Sequence, residues 1–339
     1  MTQQVLVIGP SWVGDMILAQ SMFKLLKQQR PDTVIDVAAP DWTLPLLQRM
    51  PEVRAGIALP FKRGKLDLMA RIRIGRELKA KGYDQAILLT NSFKSAIVPF
   101  CAGIPRRTGF RGEMRYGLLN DMRPMDKAVL PRTVDRFIAL GLDAGQPVPP
   151  ALPEPALMTF RDSALAALAR LGYAAPQAPV LALCPGAEYG AAKRWPAEYF
   201  AQTAQWALHQ GWEVWLFGSN KDAEITRQIN QLTGDRCLDL GGKTTLVEAL
   251  DLMALARAVI TNDSGLMHVA AALGLPQLAL FGSSDPYHTP PMSARAEIMY
   301  LQLSCSPCFK RECPLGHLKC LRDMTSAMVI QRLEALLAT

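Results

Sequence analysis

The sequence predicts an α/β protein built of two Rossmann-like, doubly wound units, and three observations predict it. Short β-rich runs alternate with helical patterns from the first residues onward, the rhythm of βαβ units around a parallel sheet. A stretch rich in proline and alanine, GQPVPPALPEPAL (145–157), interrupts that rhythm and has neither a helical nor an alternating period. Beyond it the alternation resumes. The length of 339 residues agrees, being too great for one typical core and too small for three.

In the first half, strands are expected at VLVIG (5–9), VIDVAA (34–39), GIALP (56–60) and QAILLT (85–90). A helix joins the first two, with Met16, Ala19, Met22, Phe23 and Leu26 on one face. After a helix near 161–172, strands follow at PVLALCPG (179–186), WEVWLFGS (212–219), RAVITN (257–262) and QLALFG (277–282). One intervening helix opens at Pro196, a good first-turn residue, and another at Thr245, whose partner Glu248 completes a capping box. The expected division is 1–160 for the first unit, 161–325 for the second, and a terminal helix at 326–339 packing back on the first. Such units would face one another across a cleft lined by the carboxyl ends of their strands, where ligands of open α/β sheets bind.

Composition narrows the class of function. Half of the residues are hydrophobic and a fifth are charged, which argues against disorder. The first apolar run has no basic segment ahead of it and is broken by Gly9 and Pro10, unlike a signal peptide. No stretch approaches the roughly 20 apolar residues that span a bilayer, so a cytoplasmic protein is expected. The seven cysteines are then read as reduced thiols or metal ligands rather than a disulfide framework. The net charge of +7 is uneven, with Arg106, Arg107, Arg111, Arg115 and Arg123 in one stretch and Lys62, Arg63 and Lys65 in another. Such clusters attract phosphates or form solvated faces.

Chemistry is expected at strand ends. GPSWVGD (9–15) opens like a phosphate loop, but Asp15 and Met16 stand where lysine and Ser/Thr are required, and the dinucleotide pattern G-x-G-x-x-G is absent. What remains is a turn that delivers a carboxylate, Asp15, either as a general base or as a helix cap. PGAEYGAAKRWP (185–196) brings Lys193 and Arg194 to a strand end, where cations can neutralise a departing diphosphate. TNDSGLMHVAAALG (261–274) places Asp263, Ser264, Gly265 and Leu266 at a helix start whose free amides form an anion site, with His268 one turn in. His268 is also readable as a packed core histidine. In FGSNKDAE (217–224), Asp222 or Glu224 can accept hydrogen bonds from a ribose or cap a helix. Cys305, Cys308, Cys313 and Cys320, with His317 among them, have the compact spacing C-x2-C-x4-C-x6-C but lack paired C-x2-C knuckles, which leaves zinc, an iron–sulfur cluster and free thiols all open. No Asp-x-Asp pair suited to a catalytic metal occurs on a strand-end loop.

GPSWVGD, NSFKSA (91–96), GFRGEMRYGLLND (109–121), CPGAEYGAAKRWP and TNDSGLMHVAAALG, in this order over nearly the whole chain, resemble the ADP-heptose:lipopolysaccharide heptosyltransferase II family, glycosyltransferase family 9. The resemblance implies a GT-B fold whose first unit takes the acceptor and whose second takes the nucleotide sugar. It implies inverting transfer of L-glycero-D-manno-heptose from ADP-heptose to the first heptose of heptosyl-Kdo2-lipid A, with no cofactor or metal required, no nucleic-acid partner, and peripheral contact at the cytoplasmic face of the inner membrane. Asp15 matches the family's proposed base, Lys193 its phosphate-binding lysine, and Asp263, Ser264, Gly265 and His268 its donor loop. Asn91, Lys94, Arg106, Arg107, Arg111 and Arg115 are expected on the anionic acceptor. Heptosyltransferase I, another GT-B sugar-nucleotide transferase, and a non-catalytic nucleotide-sugar or metal-binding regulator are the competing readings. The cysteine-rich segment is not part of the family pattern.

Overall fold

A computed structural model describes residues 2–61 and 64–338, so Lys62 and Arg63 of the second basic cluster lie outside the described residues. The chain divides between Pro155 and Ala156 into two compact units. The first contains β1 (Gln4–Ile8), β2 (Val34–Ala39), β3 (Val53–Ala58), β4 (Gln85–Leu88), β5 (Arg106–Phe110) and β6 (Asp121–Arg123), in the order β3-β2-β1-β4-β5-β6. The second contains β7 (Val180–Cys184), β8 (Glu213–Leu216), β9 (Leu238–Asp239), β10 (Ala258–Asn262), β11 (Gln277–Phe281) and β12 (Ala296–Tyr300), in the order β12-β11-β10-β7-β8-β9. Counted from its own first strand, the second sheet repeats the order of the first. Every strand pairing is parallel. This is the α/β GT-B architecture, two doubly wound sheets of Rossmann order.

The central strands form because their residues can be buried on both faces. In β1 and β7 the sequences VLVI and VLALC are near-continuous apolar runs, and all of these side chains are at most 3% exposed. Polar strands were invisible to that test. Strand β5 reads RRTGF and β6 reads DMR, and they hold together through Thr108 Oγ1, which donates to Asp121 at 2.8 Å. The third strand begins ahead of its expected start, at Val53.

Helix Val13–Gln29 buries Met16, Ala19, Met22 and Phe23 completely, as its period predicts. It packs against helix Thr133–Gly141, where a Cβ on Gly141 would stand 2.8 Å from Met22 Cγ, so only glycine admits this approach. In the second unit Trp195 is fully buried, edge-on to Phe200 at 4.9 Å between centroids, and its indole N–H donates to Met324 O at 2.7 Å.

Two boundaries differ from expectation. Leu157 N donates to Ala272 O and Phe160 N to Asp251 Oδ1, so the segment ahead of 161 is tied to the second unit. The terminal helix Ser326–Ala338 packs against helix Ala197–His209 and β11, with Val329 and Leu333 fully buried in the second core. Its buried residues thus belong to the core of the second unit. Pro196 is the N-cap of helix Ala197–His209 rather than its first turn. The Thr245–Glu248 capping box is present, with Thr245 Oγ1 accepting from Glu248 N at 3.3 Å.

Candidate active site

In a sheet of this order the chain winds outward in opposite directions from two adjacent central strands, and their carboxyl-end loops part to leave a crevice. In the second unit those strands are β7 and β10. Lys193 lies in the 3-10 turn Ala191–Lys193 that follows β7, and Asp263 immediately follows β10. The Lys193 ammonium donates to Asp263 Oδ2, which also accepts the Ser284 hydroxyl from the loop after β11. The side chains of Lys193 and Asp263 are 17% and 6% exposed, so water screens this pair far less than a surface bridge. Tyr189 presents its ring 5.0 Å from the ammonium. Asn262 joins the two loops, donating from Nδ2 to Pro185 O at 2.7 Å and accepting Trp195 N at Oδ1 at 3.0 Å.

Beside this bridge begins helix Gly265–Ala272. Its N-cap Ser264 makes no side-chain cap hydrogen bond, so the first-turn amides of Gly265 and Leu266 remain available to an anion, with the helix dipole behind them. His268 is buried one turn in. Burial pushes its pKa down to about 4, against the pull of Asp263 and with a further push from Lys193. The imidazole is therefore neutral near pH 7, and its Nδ1 has no hydrogen-bond partner among the described residues. Lys193, Asp263, Ser264, Gly265, Leu266 and His268 are thus brought together.

Asp222 belongs to the neighbouring loop after β8. Its Oδ2 accepts Ser219 N at 3.0 Å and Ser219 Oγ at 2.7 Å, while Arg194 stands 3.9 Å away. A Cβ on Gly186 would collide with the Asp222 carboxylate, so the glycine is what lets the β7 and β8 loops touch. Asp222 thus caps its own turn while remaining in the loop cluster. Glu224 is solvent-exposed and paired to Arg227 on its own helix at 2.5 Å, so its carboxylate is already engaged away from the Lys193 bridge.

In the first unit the corresponding strands are β1 and β4. Asp15 is the third residue of helix Val13–Gln29, half-buried, and the N-cap is Trp12, so Asp15 is not the cap. Asn91 and Lys94 follow β4. The arginine stretch is not the open cationic surface expected. Arg115 is fully buried and donates to Thr90 O at 2.7 Å and to Phe110 O, and burial lowers its pKa to about 10. Arg107 donates to Leu118 O and Ile104 O at 2.6 and 2.5 Å. Arg106 and Arg123 pair with Asp121 at 3.1 Å. Arg115 and Arg123 are buried and satisfied inside the unit, as buried polar groups must be, while the Arg106 side chain is 41% exposed and also pairs with Asp143 at 3.3 Å. Arg111 is exposed, and Lys94 donates to Lys65 O at 3.3 Å. The same carboxyl edge carries Trp42, Phe93, Met114 and Tyr116, which are 57%, 43%, 77% and 57% exposed.

Ser284, Asn262 and Tyr189 escaped the sequence reading. Ser284 sits in FGSSDP, directly after a strand that neighbours β10, and that position was the available signal.

Two sheets of Rossmann order, with a cation, a capless helix start and a neutral histidine gathered at the switch point of the second, make an arrangement suited to an anionic, phosphate-bearing ligand. The model of glycosyltransferase family 9 (heptosyltransferase) matches residues 71–319. Over 343 residues and 98% of each chain, the sequence is 45% identical to lipopolysaccharide heptosyltransferase 2 of Escherichia coli K12. It is 44% identical over 348 residues, 99% of each chain, to lipooligosaccharide heptosyltransferase 2 of Haemophilus ducreyi. The solved structure of E. coli ADP-heptose LPS heptosyltransferase II superposes with a TM-score of 0.88 at 42% identity, covering 99% of both chains. The chain belongs to glycosyltransferase family 9, the heptosyltransferases.

Proposed function

We propose that this glycosyltransferase moves L-glycero-D-manno-heptose, with inversion, from ADP-heptose to the first heptose of heptosyl-Kdo2-lipid A. The observation that carries the donor half is the Lys193–Asp263 bridge beside the uncapped helix Gly265–Ala272. Asp263 and Ser284 hold the ammonium in place, and the amides of Gly265 and Leu266 supply donors for the diphosphate. Asp222 is the group proposed for the ribose hydroxyls, and Glu224 would serve there only after leaving Arg227.

The reaction is a single displacement. The acceptor oxygen forms the new bond to the anomeric carbon as the bond to the diphosphate breaks, through an oxocarbenium-like state. Asp15 takes the acceptor proton, and ADP leaves with its growing charge met by Lys193 and the helix terminus. On the acceptor side Arg111, Lys94 and Asn91 meet the anionic core. The exposed Trp42, Phe93, Met114 and Tyr116 suit the interface of the lipid that carries it, which supports peripheral membrane contact. Among the described residues no helix is long and apolar enough to cross a membrane.

Incubation with ADP-heptose and heptose-primed Kdo2-lipid A, followed by mass spectrometry, tests the reading. One added heptose and acceptor-dependent ADP release are expected. Equal transfer onto Kdo2-lipid A lacking heptose would reassign the acceptor, and stronger competition by UDP than by ADP would reassign the donor.

A further inference from the structure

The four thiols Cys305, Cys308, Cys313 and Cys320 are drawn from one loop of the second unit and the short helix Lys319–Arg322, and they converge on one small cavity. None is in a disulfide. The cavity is small, about 20 Å³, and has room for at least one atom-sized occupant. Its wall includes Ser283, whose hydroxyl is buried and has no hydrogen-bond partner among the described residues. The turn that follows Cys313 is closed by Gly316 N, which donates to Cys313 O at 3.1 Å. His317 is less available, since its Nδ1 already accepts Lys319 N at 3.0 Å.

We propose that Cys305, Cys308, Cys313 and Cys320 bind a single thiophilic divalent cation, zinc, in a closed tetrahedral site. Among the described residues no three such side chains already stand in ligating geometry, so the site closes by rotation of the cysteine side chains about the cavity as the thiols lose their protons to solvent. Four sulfur ligands leave no open coordination position, so the ion is structural.

The loop it staples is the one that buttresses Lys193. Arg311 O accepts Ala192 N at 2.9 Å, Phe309 O accepts the Tyr189 hydroxyl at 2.8 Å, and Ser283 O accepts both Cys308 N and Phe309 N at 3.1 and 2.7 Å. Ser283 adjoins Ser284, which holds Asp263.

The test is metal analysis of the full-length chain, expressed with zinc and iron both present. About one zinc per chain is expected, falling below about a tenth in Cys308→Ser and Cys313→Ser and unchanged in Cys101→Ser, which lies in the first unit. In case those variants do not fold, the wild-type chain stripped by chelator is titrated with zinc against a chromophoric competitor. Binding tighter than about 1 μM with loss of four titratable thiols supports the site. Weaker binding, full zinc retention by both variants, or iron with acid-labile sulfide overturns it. None of these readouts depends on transferase activity.

Discussion

Lys193 and Asp263 stand 70 residues apart in sequence and meet in an ion pair at the carboxyl ends of β7 and β10. The pair fixes an ammonium beside an uncapped helix start, and the proposed role in catalysis makes a direct prediction. Lys193→Met should lower kcat/KM for ADP-heptose by about 10²–10³, the usual cost of losing one preorganised donor to a developing oxyanion. Asp263→Asn keeps the lysine but loosens it, and should lower activity less. ADP release monitored at fixed acceptor distinguishes them, and a Lys193→Met enzyme within threefold of wild type would remove the lysine from the chemistry.

Asp15 is proposed as the proton acceptor, and a base acts on turnover rather than on donor affinity. Asp15→Asn should therefore reduce kcat by about 10²–10⁴ while calorimetric affinity for ADP is unchanged. Parallel loss of both would mark Asp15 as a structural residue of its helix.

His268 makes stability depend on pH in a particular window. Its folded pKa of about 4 lies below the ordinary 6.5, so between these values the unfolded chain binds the extra proton. Its contribution is fully present above pH 6.5, declines as pH falls, and is exhausted near pH 4. Denaturant unfolding should lose up to about 1.4 kcal/mol per pH unit to this group across the window, and His268→Gln should flatten the slope. An unchanged slope in the variant would mean that the imidazole is already charged in the native state.

The basic stretch should separate into two kinds of variant. Arg115→Met leaves the carbonyls of Thr90 and Phe110 buried without their donor and should cost about 3 kcal/mol of stability, seen as a lowered denaturation midpoint. Arg111→Ala, at an exposed position, should leave the midpoint unchanged and raise KM for the lipid acceptor several-fold.

Gly190→Ala probes how closely the cysteine-rich loop is seated. A Cβ there would run into Arg311 O, a backbone atom with little freedom to yield. The variant should melt several degrees lower and bind ADP more weakly. A melting temperature equal to that of wild type would show that the loop shifts at no cost.

What the sequence determined by itself was the doubly wound architecture and the strand-end loops that bring Lys193, Asp263 and His268 together. Strands buried on both faces must be apolar throughout, as VLVI and VLALC are, and a helix start open to an anion is marked by a short, glycine-containing turn such as NDSG. The sequence could not show strands β5, β6, β9 and β12, which are polar, very short or only half-buried, and whose polar residues depend on neighbours in the folded sheet, as Asp121 serves Arg106, Thr108 and Arg123. Tertiary structure also decided which charges are available. A sequence shows five clustered arginines, but whether a guanidinium meets solvent or a buried carbonyl depends on the fold around it, and for Arg115 the fold supplies Thr90 and Phe110. The same holds for Lys193: its charge is legible in the chain, while its placement comes from an adjacency of β7 and β10 that only the winding of the sheet creates.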